Sequence, residues 1–505
     1  MIYKSKEIAK TGDAIPLFND GRPMHSKYNP TAEHLPLPQD VCGGFFLIGG
    51  IGAGYHIQSL LHTFQNASVF VLAFEPDQES LDFAFQFRTV QELKTLPNVF
   101  FCTEEEVSQA LLSLYHPALY GTFYCIAQRA WQTRNEEAMQ SVKQRAEAVL
   151  KTISADYSVQ VHFGKIWMHN ILMNLRSFDG NNAIPADTRK TAAVIAAGPS
   201  LDKTIRTLEQ KRSQYFIIAT DTAYGTLLRN GIFPDIAVCV DAQHVSSEHF
   251  FPCPQNAPKY STVFVFDISS APDCVATVRR RGYDVFFIQS GHPLSFQACP
   301  NEELPFLETG SGTVTIAAAD LARQLGFKRI EIFAADFAYR DGKPYAKGTY
   351  LEQQFFSASN RVCPAEQRYA RLMYRTELEK KEEKTYTSKV MKGYEKSFYA
   401  WALQHGYTEE YASSSGSEIR VLQNKSAAPL LKAIKHPFSY TEFINTWLKD
   451  LSSVKKISDT YKNKVFATLL PLMAFLENDA SIGSPGVVES SKLAYTYATR
   501  YNVGL

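Results

Sequence analysis

The 505-residue sequence has few cysteines and no surplus of charge of either sign. Its eight cysteines form no CxxC pair and no Cys/His cluster, so neither a zinc site nor a disulfide framework is indicated. Lys and Arg total 52 against 51 Asp and Glu. This balance argues against a generalised nucleic-acid surface, which needs a basic excess. A reducing cytoplasm is the compartment that fits best.

Long hydrophobic runs are also missing. The first ten residues, MIYKSKEIAK, contain no apolar core of a signal peptide. Residues 41–61 lack Asp, Glu, Lys and Arg, but their glycines, His56 and Gln58 make them a poor membrane helix. We therefore expect no membrane insertion. Hydrophobic content of 45% and charged content of 20% indicate a globular protein, and the length of 505 residues indicates two to four domains.

A small-residue segment, TAAVIAAGPSLD at residues 191–202, is central to the sequence. Ala192 to Ala197 predict a short buried strand that Gly198 and Pro199 end sharply before a helix begins at Leu201. Glycine allows a ligand to approach the backbone, and Ser200 is expected to cap the helix. The positive end of the helix dipole then suits a phosphate.

The N-terminal part has a similar pattern. Residues 1–40 are polar and rich in proline and are expected to form an irregular arm over the first domain. A strand then precedes the glycine-rich turn GGIGAG (residues 49–54), and a second strand ends at Glu75. This is the order of a Rossmann-type nucleotide-binding unit, and it also resembles the first motif of S-adenosylmethionine-dependent methyltransferases. The alternative is a glycine turn that only packs a helix on a strand, and no catalytic partner follows in this domain.

Two helices are expected at residues 136–152 and 159–175, followed by a boundary loop, FDGNNAIPADT. Beyond this loop the sequence predicts a second α/β domain. Four of its strands end on an acid: Asp221, Asp241, Asp267 and Asp336. Because ligands of parallel sheets lie beyond the carboxyl ends of the strands, we expect at least two of these carboxylates to face a ligand, although Asp is also a common helix cap.

A second small-residue turn lies at Thr309, Gly310, Ser311 and Gly312, before an amphipathic helix that ends at Gly326. Its hydroxyls and N–H groups suit a carboxylate or a phosphate oxygen. Two anion-binding turns in one domain predict a ligand with two anionic parts.

Two tyrosines six residues apart, Tyr339 and Tyr345, follow Asp336 in a polar loop. Phenols donate hydrogen bonds without adding charge, which suits a leaving phosphate oxygen that gains negative charge. The alternative is that these rings only pack on their neighbours.

The rest of the chain is predicted from its periodicity. Residues 366–384 are expected to form a charged helix, and residues 385–405 an amphipathic one. A flexible turn at residues 413–418 precedes a strand, IRVL. Residues from about 427 to 505 are expected to form a helical C-terminal domain that binds a partner or an acceptor.

Three segments resemble the motility accessory factor family of bacterial flagellin glycosyltransferases. They are GPSLD from Gly198, IIATDTAYGTLLRNGIFPDIAVCVDAQ from Ile217 and TGSGTVTIAAADLARQLGFKRIEIFAADFAY from Thr309. The central domain of that family is similar to the archaeal pterin pyrophosphokinase-type domain and to bacterial sialyltransferases that use CMP-sialic acid. The resemblance covers residues 160–425. It implies an α/β protein with Rossmann-like domains at 1–157 and 158–425 and a helical domain at 426–505.

The resemblance also implies roles for individual residues. Gly198, Pro199 and Ser200 fall at the nucleotide turn, and Asp221 and Asp241 stand where the sialyltransferases use asparagines near the donor. Thr309, Ser311 and Gly312 match the turn that holds the sugar carboxylate, with Gly310 inserted. Tyr339 and Tyr345 match the paired tyrosines at the leaving phosphate, and Asp336 lies beside them. The sialyltransferase general base, a histidine, aligns with Thr387, which cannot serve; His244, Asp241 or Asp336 remain candidates.

The function implied is that of an inverting, cytoplasmic glycosyltransferase. It transfers a nonulosonic acid, of the pseudaminic, legionaminic or sialic type, from its CMP ester to Ser or Thr of flagellin, which flagellar assembly and motility require. No cofactor is clearly implied, and Mg²⁺ stays open. Two alternatives remain: a pterin-type pyrophosphokinase that uses ATP and Mg²⁺, and a flagellar assembly factor without catalysis.

Overall fold

The computed structural model describes most of the chain. The residues described are 1–39, 41–64, 69–250, 252–254, 262–300, 303–310, 312–411, 419–431, 438–454, 465–478 and 487–502. They divide into two compact units, one of Met1–Lys165 with Asn445–Leu505 and one of Ile166–Ile444. A three-domain division with borders at 157 and 425 stays a prediction; residues 445–505 group here with the N-terminal unit.

The first unit contains a parallel four-stranded sheet in the order β5-β4-β3-β6 and a separate hairpin of β1 and β2. Its strands are β1 (Tyr3–Ile8), β2 (Ala14–Phe18), β3 (Gly44–Gly49), β4 (Val69–Glu75), β5 (Val99–Thr103) and β6 (Phe123–Ala127). Its helices are α1 (Tyr55–Thr63), α2 (Gln78–Ala84), α3 (Arg88–Lys94), α4 (Val107–Leu114), α5 (Pro117–Tyr120), α6 (Arg129–Gln132) and most of α7 (Glu136–Arg176), with a 3-10 turn at Pro30–Ala32. The near-continuous apolar sequences of β3 and β4 fit strands that are buried on both faces.

The second unit is built on an eight-stranded sheet in the order β11-β10-β9-β8-β7-β12-β17-β16. Six neighbouring strands are parallel: β7 (Thr191–Ile195), β8 (Tyr215–Thr220), β9 (Ile236–Cys239), β10 (Val263–Asp267), β11 (Val285–Ile288) and β12 (Arg329–Phe333). Antiparallel β16 (Thr408–Tyr411) and β17 (Ile419–Gln423) extend one edge. A small antiparallel sheet holds β13 (Tyr339–Arg340), β14 (Glu379–Glu382) and β15 (Thr385–Thr387).

Helices cover both faces of the large sheet. They are α8 (Leu201–Gln210), α9 (Asp221–Arg229), α10 (Pro272–Arg280), α11 (Pro293–Ala298), α12 (Val314–Gln324), α13 (Tyr350–Ser357), α14 (Ala365–Met373) and α15 (Lys389–Gln404), with 3-10 turns at Arg212–Gln214 and His244–Phe250. Helices α8 and α9 share one apolar core with alternate residues of β7 and β8, whereas α12 and α15 share another core with the intervening residues. The predicted α/β class with two parallel sheets is therefore confirmed.

The described C-terminal residues are helical, as predicted. They form α16 (Tyr440–Ser453), α17 (Val465–Asn478) and α18 (Val487–Asn502). Trp447 is fully buried, and its indole N–H donates to Thr468 Oγ1 at 3.2 Å. No helix among the described residues combines the length and the apolar character that crossing a bilayer requires.

Several local predictions are wrong. The arm over residues 1–40 is not irregular throughout, because β1 and β2 pair and bury Tyr3 and Ile15. The two helices predicted at 136–152 and 159–175 are one continuous helix, α7. The polar residues between them are largely exposed, so they break the apolar period without breaking the helix.

The charged segment 366–384 is also predicted incorrectly. Its helix α14 ends at Met373, and residues Glu379–Glu382 form the exposed strand β14. Likewise, the helix predicted from residue 385 begins only at Lys389, because residues 385–387 pair with both β13 and β14. The turn predicted at 413–418 lies outside the described residues.

Candidate functional site

The large sheet changes direction at β7. Strands β8 to β11 follow one another on one side of β7, whereas β12 lies on the other side. Connections on opposite faces leave a crevice between the carboxyl ends of β7 and β12, which is where ligands of such sheets bind. The loops that follow these two strands carry Gly198 and Asp336.

The Gly198 turn is held by Asp336. The Ser200 N–H donates to Asp336 Oδ2 at 2.9 Å, and the Gly198 N–H donates to the Ala334 carbonyl at 3.0 Å. A Cβ atom on Gly198 would lie 2.5 Å from both acceptors, so only glycine fits here. The turn and the loop after β12 therefore form one compact structure.

The prediction that Ser200 caps α8 is wrong. Its side chain makes no cap hydrogen bond, because the N–H groups of Asp202 and Lys203, which such a cap would bind, donate to the carbonyls of Pro199 and Ser200. The next four N–H groups, from Leu201 to Thr204, donate to carbonyls at Gly198, Pro199 and Ser200. An anionic carboxylate thus fills the helix terminus at which we predicted a phosphate.

Three contacts fix the loop that bears the paired tyrosines. The Ala346 N–H donates to the Ala197 carbonyl at 2.9 Å, and the Lys347 N–H donates to Asp202 Oδ1 at 2.8 Å. A Cβ atom on Gly348 would lie 3.2 Å from Thr226 Cα, so the loop lies directly on α9. The loop from Tyr339 to Tyr350 is therefore attached to β7, α8 and α9.

Tyr345 packs against the apolar core under α8 and α9. Burial raises the pKa of its phenol to about 12, with further contributions from neighbouring Tyr339, Tyr350 and Asp221, while Arg375 acts in the opposite direction. The pKa of Tyr339 is raised too, by its half-buried position, and Arg375 again opposes this shift. Both phenols are hydrogen-bond donors at neutral pH, and one guanidinium lies near both.

Tyr350 is a further member of the site that the sequence analysis missed. Burial raises the pKa of its phenol, and the carboxylates of Glu248, Asp241 and Asp221 raise it further. Its ring also meets His249 edge to face at 4.4 Å between centroids. The sequence signal that could have identified Tyr350 was its position five residues after Tyr345, in the same loop.

Each of the four strand-end acids has a structural role. Asp221 Oδ1 accepts the N–H and hydroxyl of Thr222, and Asp267 Oδ1 accepts those of Ser269. The remaining two hold other turns: Asp241 Oδ1 and Oδ2 accept from Gln243 and Ser246, and Asp336 accepts from Ser200. Asp221 Oδ2 and Asp267 Oδ2 accept none of these bonds, so a requirement for Mg²⁺ stays a prediction. Asp221 and Asp241 still lie near Tyr350.

The second small-residue turn remains open. Gly310 and Gly312 are exposed, and Thr309 is half-buried. Thr313 caps α12, whereas no described residue accepts the N–H of Gly310 or Val314. A Cβ atom on Gly310 would lie 3.4 Å from Ser397 Cβ on α15, the helix whose Phe398 packs on Phe337. Ser311 lies outside the described residues.

The loop after β12 has strained backbone. Ala334 and Phe337 have φ values of 55° and 45°. Non-glycine residues seldom adopt this left-handed conformation, and its cost of about 1–3 kcal/mol each is most often found at functional sites. The two residues flank Ala335 and Asp336, so the strain coincides with the crevice.

The candidate general bases differ in availability. Thr387 is buried, and its hydroxyl donates to the Phe337 carbonyl at 2.9 Å. Asp336 and Asp241 hold the turns described above. His244 is exposed; its Nδ1 pairs with Asp273, and both residues line a cavity of about 410 Å³. The residues that line this cavity do not include those of the Gly198 turn.

A three-residue cluster of possible metal ligands occurs in the described part of the second unit: Glu308, Asp320 and His405. Asp320 is fully buried and accepts four hydrogen bonds, from Glu308 N–H, Arg323, Gln324 and Trp401. Because its oxygens are already satisfied and a guanidinium is adjacent, the cluster fits a structural role better than a metal site.

The glycine-rich turn of the first unit is filled by the chain's own groups. Ile51 and Gly52 donate their N–H groups to Glu75 Oε1 at 2.7 and 3.0 Å, and Ala53 donates to His25 Nε2 at 3.1 Å. The N–H groups of Gly50 and Gly54 donate to backbone carbonyls.

Glu75 is fully buried, and two further donors bind it: the Tyr3 hydroxyl at 2.7 Å and the Trp131 indole at 2.8 Å. Burial outweighs these bonds and raises the Glu75 pKa to about 7. In this structure no N–H of the turn is available for a phosphate, which favours the scaffold interpretation over cofactor binding.

Comparisons with known proteins found a matching family model and a similar solved structure. A family model described as 6-hydroxymethylpterin diphosphokinase MptE-like matches residues 166–342. Among solved structures, "Structure of MAf glycosyltransferase from Magnetospirillum magneticum AMB-1" is similar at 15% identity and a TM-score of 0.49, over 99% of this chain and 86% of that one.

Two uncharacterized proteins of Treponema pallidum (strain Nichols) are relatives. One is 40% identical over 137 residues, 26% of this chain and 49% of its own length. The other is 35% identical over 146 residues, 28% of this chain and 70% of its own length. The chain spans about half of the length of the first relative. The predicted pterin pyrophosphokinase-type resemblance of the central domain is confirmed by the family model, and the chain belongs to the family of the Treponema pallidum protein that is 35% identical to it.

Proposed function

We propose that this protein is an inverting glycosyltransferase. It transfers a nonulosonic acid from a CMP-sugar to Ser or Thr hydroxyls of flagellin in the cytoplasm, a modification needed for flagellar assembly and motility. The observation that carries the proposal is the attachment of the Tyr339–Tyr350 loop to the Gly198 turn, at the point where the sheet changes direction. The family model over residues 166–342 and the resemblance of the three motifs support it.

The donor's two anionic groups are assigned as follows. The open turn at Thr309–Gly312 offers the Gly310 and Val314 N–H groups at the N-terminus of α12 to the sugar carboxylate. The phosphate lies by Tyr339 and Tyr345, with the Arg375 charge close to both phenols. Gly198 and Pro199 shape the wall of this pocket, and Asp336 fixes that wall rather than the phosphate.

The transfer breaks the bond between the anomeric carbon and the phosphate oxygen. CMP leaves with the electron pair, and the acceptor oxygen forms the new bond from the opposite face after losing its proton. A phenol that stays protonated at neutral pH, as the Tyr345 pKa of about 12 ensures, stabilises the charge that develops on the leaving oxygen. Asp221, Asp241 and Tyr350 offer hydrogen-bonding groups to the sugar hydroxyls.

The test has two stages. Calorimetry should show CMP binding in preference to AMP, and intact-mass measurement should show lighter flagellin in a strain that lacks this protein. No binding of CMP at millimolar concentration, or unchanged flagellin mass, would overturn the proposal. Unchanged flagellin mass with Tyr345→Phe, alongside lost motility in the deletion strain, would instead favour an assembly factor without catalysis.

A second candidate is a pterin-type pyrophosphokinase. The family model that matches residues 166–342 carries that activity in its description. Such an enzyme should bind ATP with Mg²⁺ and ignore CMP. ATP titration in the presence and absence of Mg²⁺ distinguishes the two enzymes.

A further inference from the structure

We propose that the cavity beside the N-terminus of α10 receives the acceptor hydroxyl and that His244, oriented by Asp273, removes its proton. This inference rests on the proposed glycosyl transfer. It supplies the group that the crevice itself lacks, since Thr387, Asp241 and Asp336 are all engaged in other hydrogen bonds.

The cavity has the size and lining of a ligand site. Its volume of about 410 Å³ lies within the range of roughly 300–1,000 Å³ that such sites occupy. Apolar groups and a few polar side chains line it, namely Ile166, His169, Asn170, Ala242, Gln243, His244, Val245, Ala271, Pro272 and Asp273. This mixture suits a protein segment that presents a hydroxyl side chain.

The wall that bears His244 is held firmly. Asn170 on α7 is buried, and its amide donates to the carbonyls of Ala242 and Ser269 at 2.9 Å each. Asp241 fixes the same turn from the other side through the Gln243 N–H and the Ser246 hydroxyl. A catalytic imidazole needs such a rigid support, because small displacements reduce proton transfer.

The His244–Asp273 pair has the chemistry of a general base. Asp273 lies in the first turn of α10, where the helix dipole stabilises a carboxylate. Its Oδ2 pairs with His244 Nδ1, which selects the tautomer whose Nε2 can accept a proton. No described residue hydrogen-bonds that Nε2, and the His244 side chain is 80% exposed.

The cavity is also within reach of the donor. Ala242 to Val245 follow β9, which is two strands from β7 in the sheet. With strands about 4.8 Å apart, this separation is roughly 10 Å along the carboxyl edge. Asp241, at the head of the same turn, lies near Tyr350, so the segment connects the cavity to the tyrosine loop.

In the proton balance, the acceptor O–H gives its proton to His244 Nε2 as its oxygen bonds the anomeric carbon. The bond from that carbon to the phosphate oxygen breaks, and CMP departs with the electron pair. His244 then releases the proton to water. Asp273 keeps its charge throughout and acts as a positioning residue.

The experiment compares His244→Ala with Asp273→Asn and with His162→Gln, a control at an exposed histidine of α7. CMP binding should stay unchanged in all three. In transfer to flagellin, kcat should fall about 100-fold or more for His244→Ala and less for Asp273→Asn, with little change in KM. Added imidazole should restore a measurable part of the rate that His244→Ala loses. It should leave the rate of the His162→Gln control unchanged.

Three outcomes would overturn the inference: near wild-type kcat in His244→Ala, a loss that imidazole does not restore, or a loss that appears only in KM for the acceptor. Absence of CMP binding and transfer in the wild-type protein would instead reject the proposed function itself. Circular dichroism of each variant separates these results from misfolding.

Discussion

Asp336 and Ser200, 136 residues apart in the sequence, form the hydrogen bond that begins helix α8. The acceptor is a carboxylate at the N-terminus of a helix, where the helix dipole attracts an anionic group. Substitution Asp336→Ala leaves the buried Ser200 N–H without a partner. We expect a loss of about 1–3 kcal/mol in the free energy of unfolding, measured by denaturant titration.

The control for this substitution is Asp284→Ala. Asp284 is an exposed aspartate of the same unit, and its side chain has no partner among the described residues. Its replacement should change the free energy of unfolding by less than about 0.5 kcal/mol. Equal effects of the two substitutions would show that the Asp336 contact does not stabilise α8.

Two glycines should respond in opposite directions to alanine. A Cβ on Gly198 would overlap the Ala334 carbonyl and Asp336, so Gly198→Ala should destabilise the protein by roughly 2–3 kcal/mol. Gly393 lies in α15 with no atom within 4 Å of the added Cβ. There alanine should stabilise by about 0.5–1 kcal/mol. Thermal unfolding measures both, and a Gly198→Ala protein that is as stable as wild type would contradict the packing described for the Gly198 turn.

Much of this fold was predictable, because buried parallel strands have near-continuous apolar sequences and the alternation of strands with helices indicates a parallel sheet. The hydrogen-bond partners at the helix ends were harder to predict from the sequence. Ser200 is a residue type that often caps helices, but the N–H groups that it would bind donate to backbone carbonyls, and its own N–H donates to Asp336 after a distant strand. The segment 379–387 has no apolar period, and its strands form only because they pair with one another and with residues 339–340.

Prediction of the candidate site from the sequence has the same limit. The paired tyrosines and the acids could be selected from the sequence, because their chemistry is local. The role of each acid could not, since it depends on which N–H groups the fold brings to it. Tyr350 was missed for that reason: its acidic neighbours Asp221, Asp241 and Glu248 are distant in sequence.

Removal of the Tyr345 hydroxyl should slow the proposed transfer. Tyr345→Phe keeps the ring in the core under α8 and α9 but removes a hydrogen-bond donor to the leaving phosphate. Loss of one such donor typically costs about 100-fold or more in kcat. Steady-state kinetics with a CMP-sugar donor and flagellin provide the measurement. Tyr28→Phe, at an exposed ring of the first unit, is the matched control; an unchanged kcat for Tyr345→Phe would remove Tyr345 from the mechanism.

The contribution of Glu75 to the stability of the first unit should fall as the pH rises from 5 to 8. Burial raises the Glu75 pKa from 4.5 to about 7, so the folded state binds a proton more tightly than the unfolded state does. Stability from this group is therefore fully present below pH 4.5 and falls as the pH passes through 7. The shift corresponds to a change on the order of 3 kcal/mol.

Substitution Glu75→Gln isolates this effect. Glutamine keeps the volume and a carbonyl acceptor for the Ile51 and Gly52 N–H groups, but it cannot ionise, and its amide nitrogen cannot accept the Trp131 N–H. We expect lower stability than wild type at pH 5 and a difference from wild type that decreases as the pH rises to 8, because only the wild-type protein loses the Glu75 contribution. Denaturant midpoints at several pH values, with Glu79→Gln at an exposed position as the control, measure this. An unaltered pH dependence in Glu75→Gln would mean that Glu75 is already ionised in the folded protein and that its four donors, rather than burial, determine its charge.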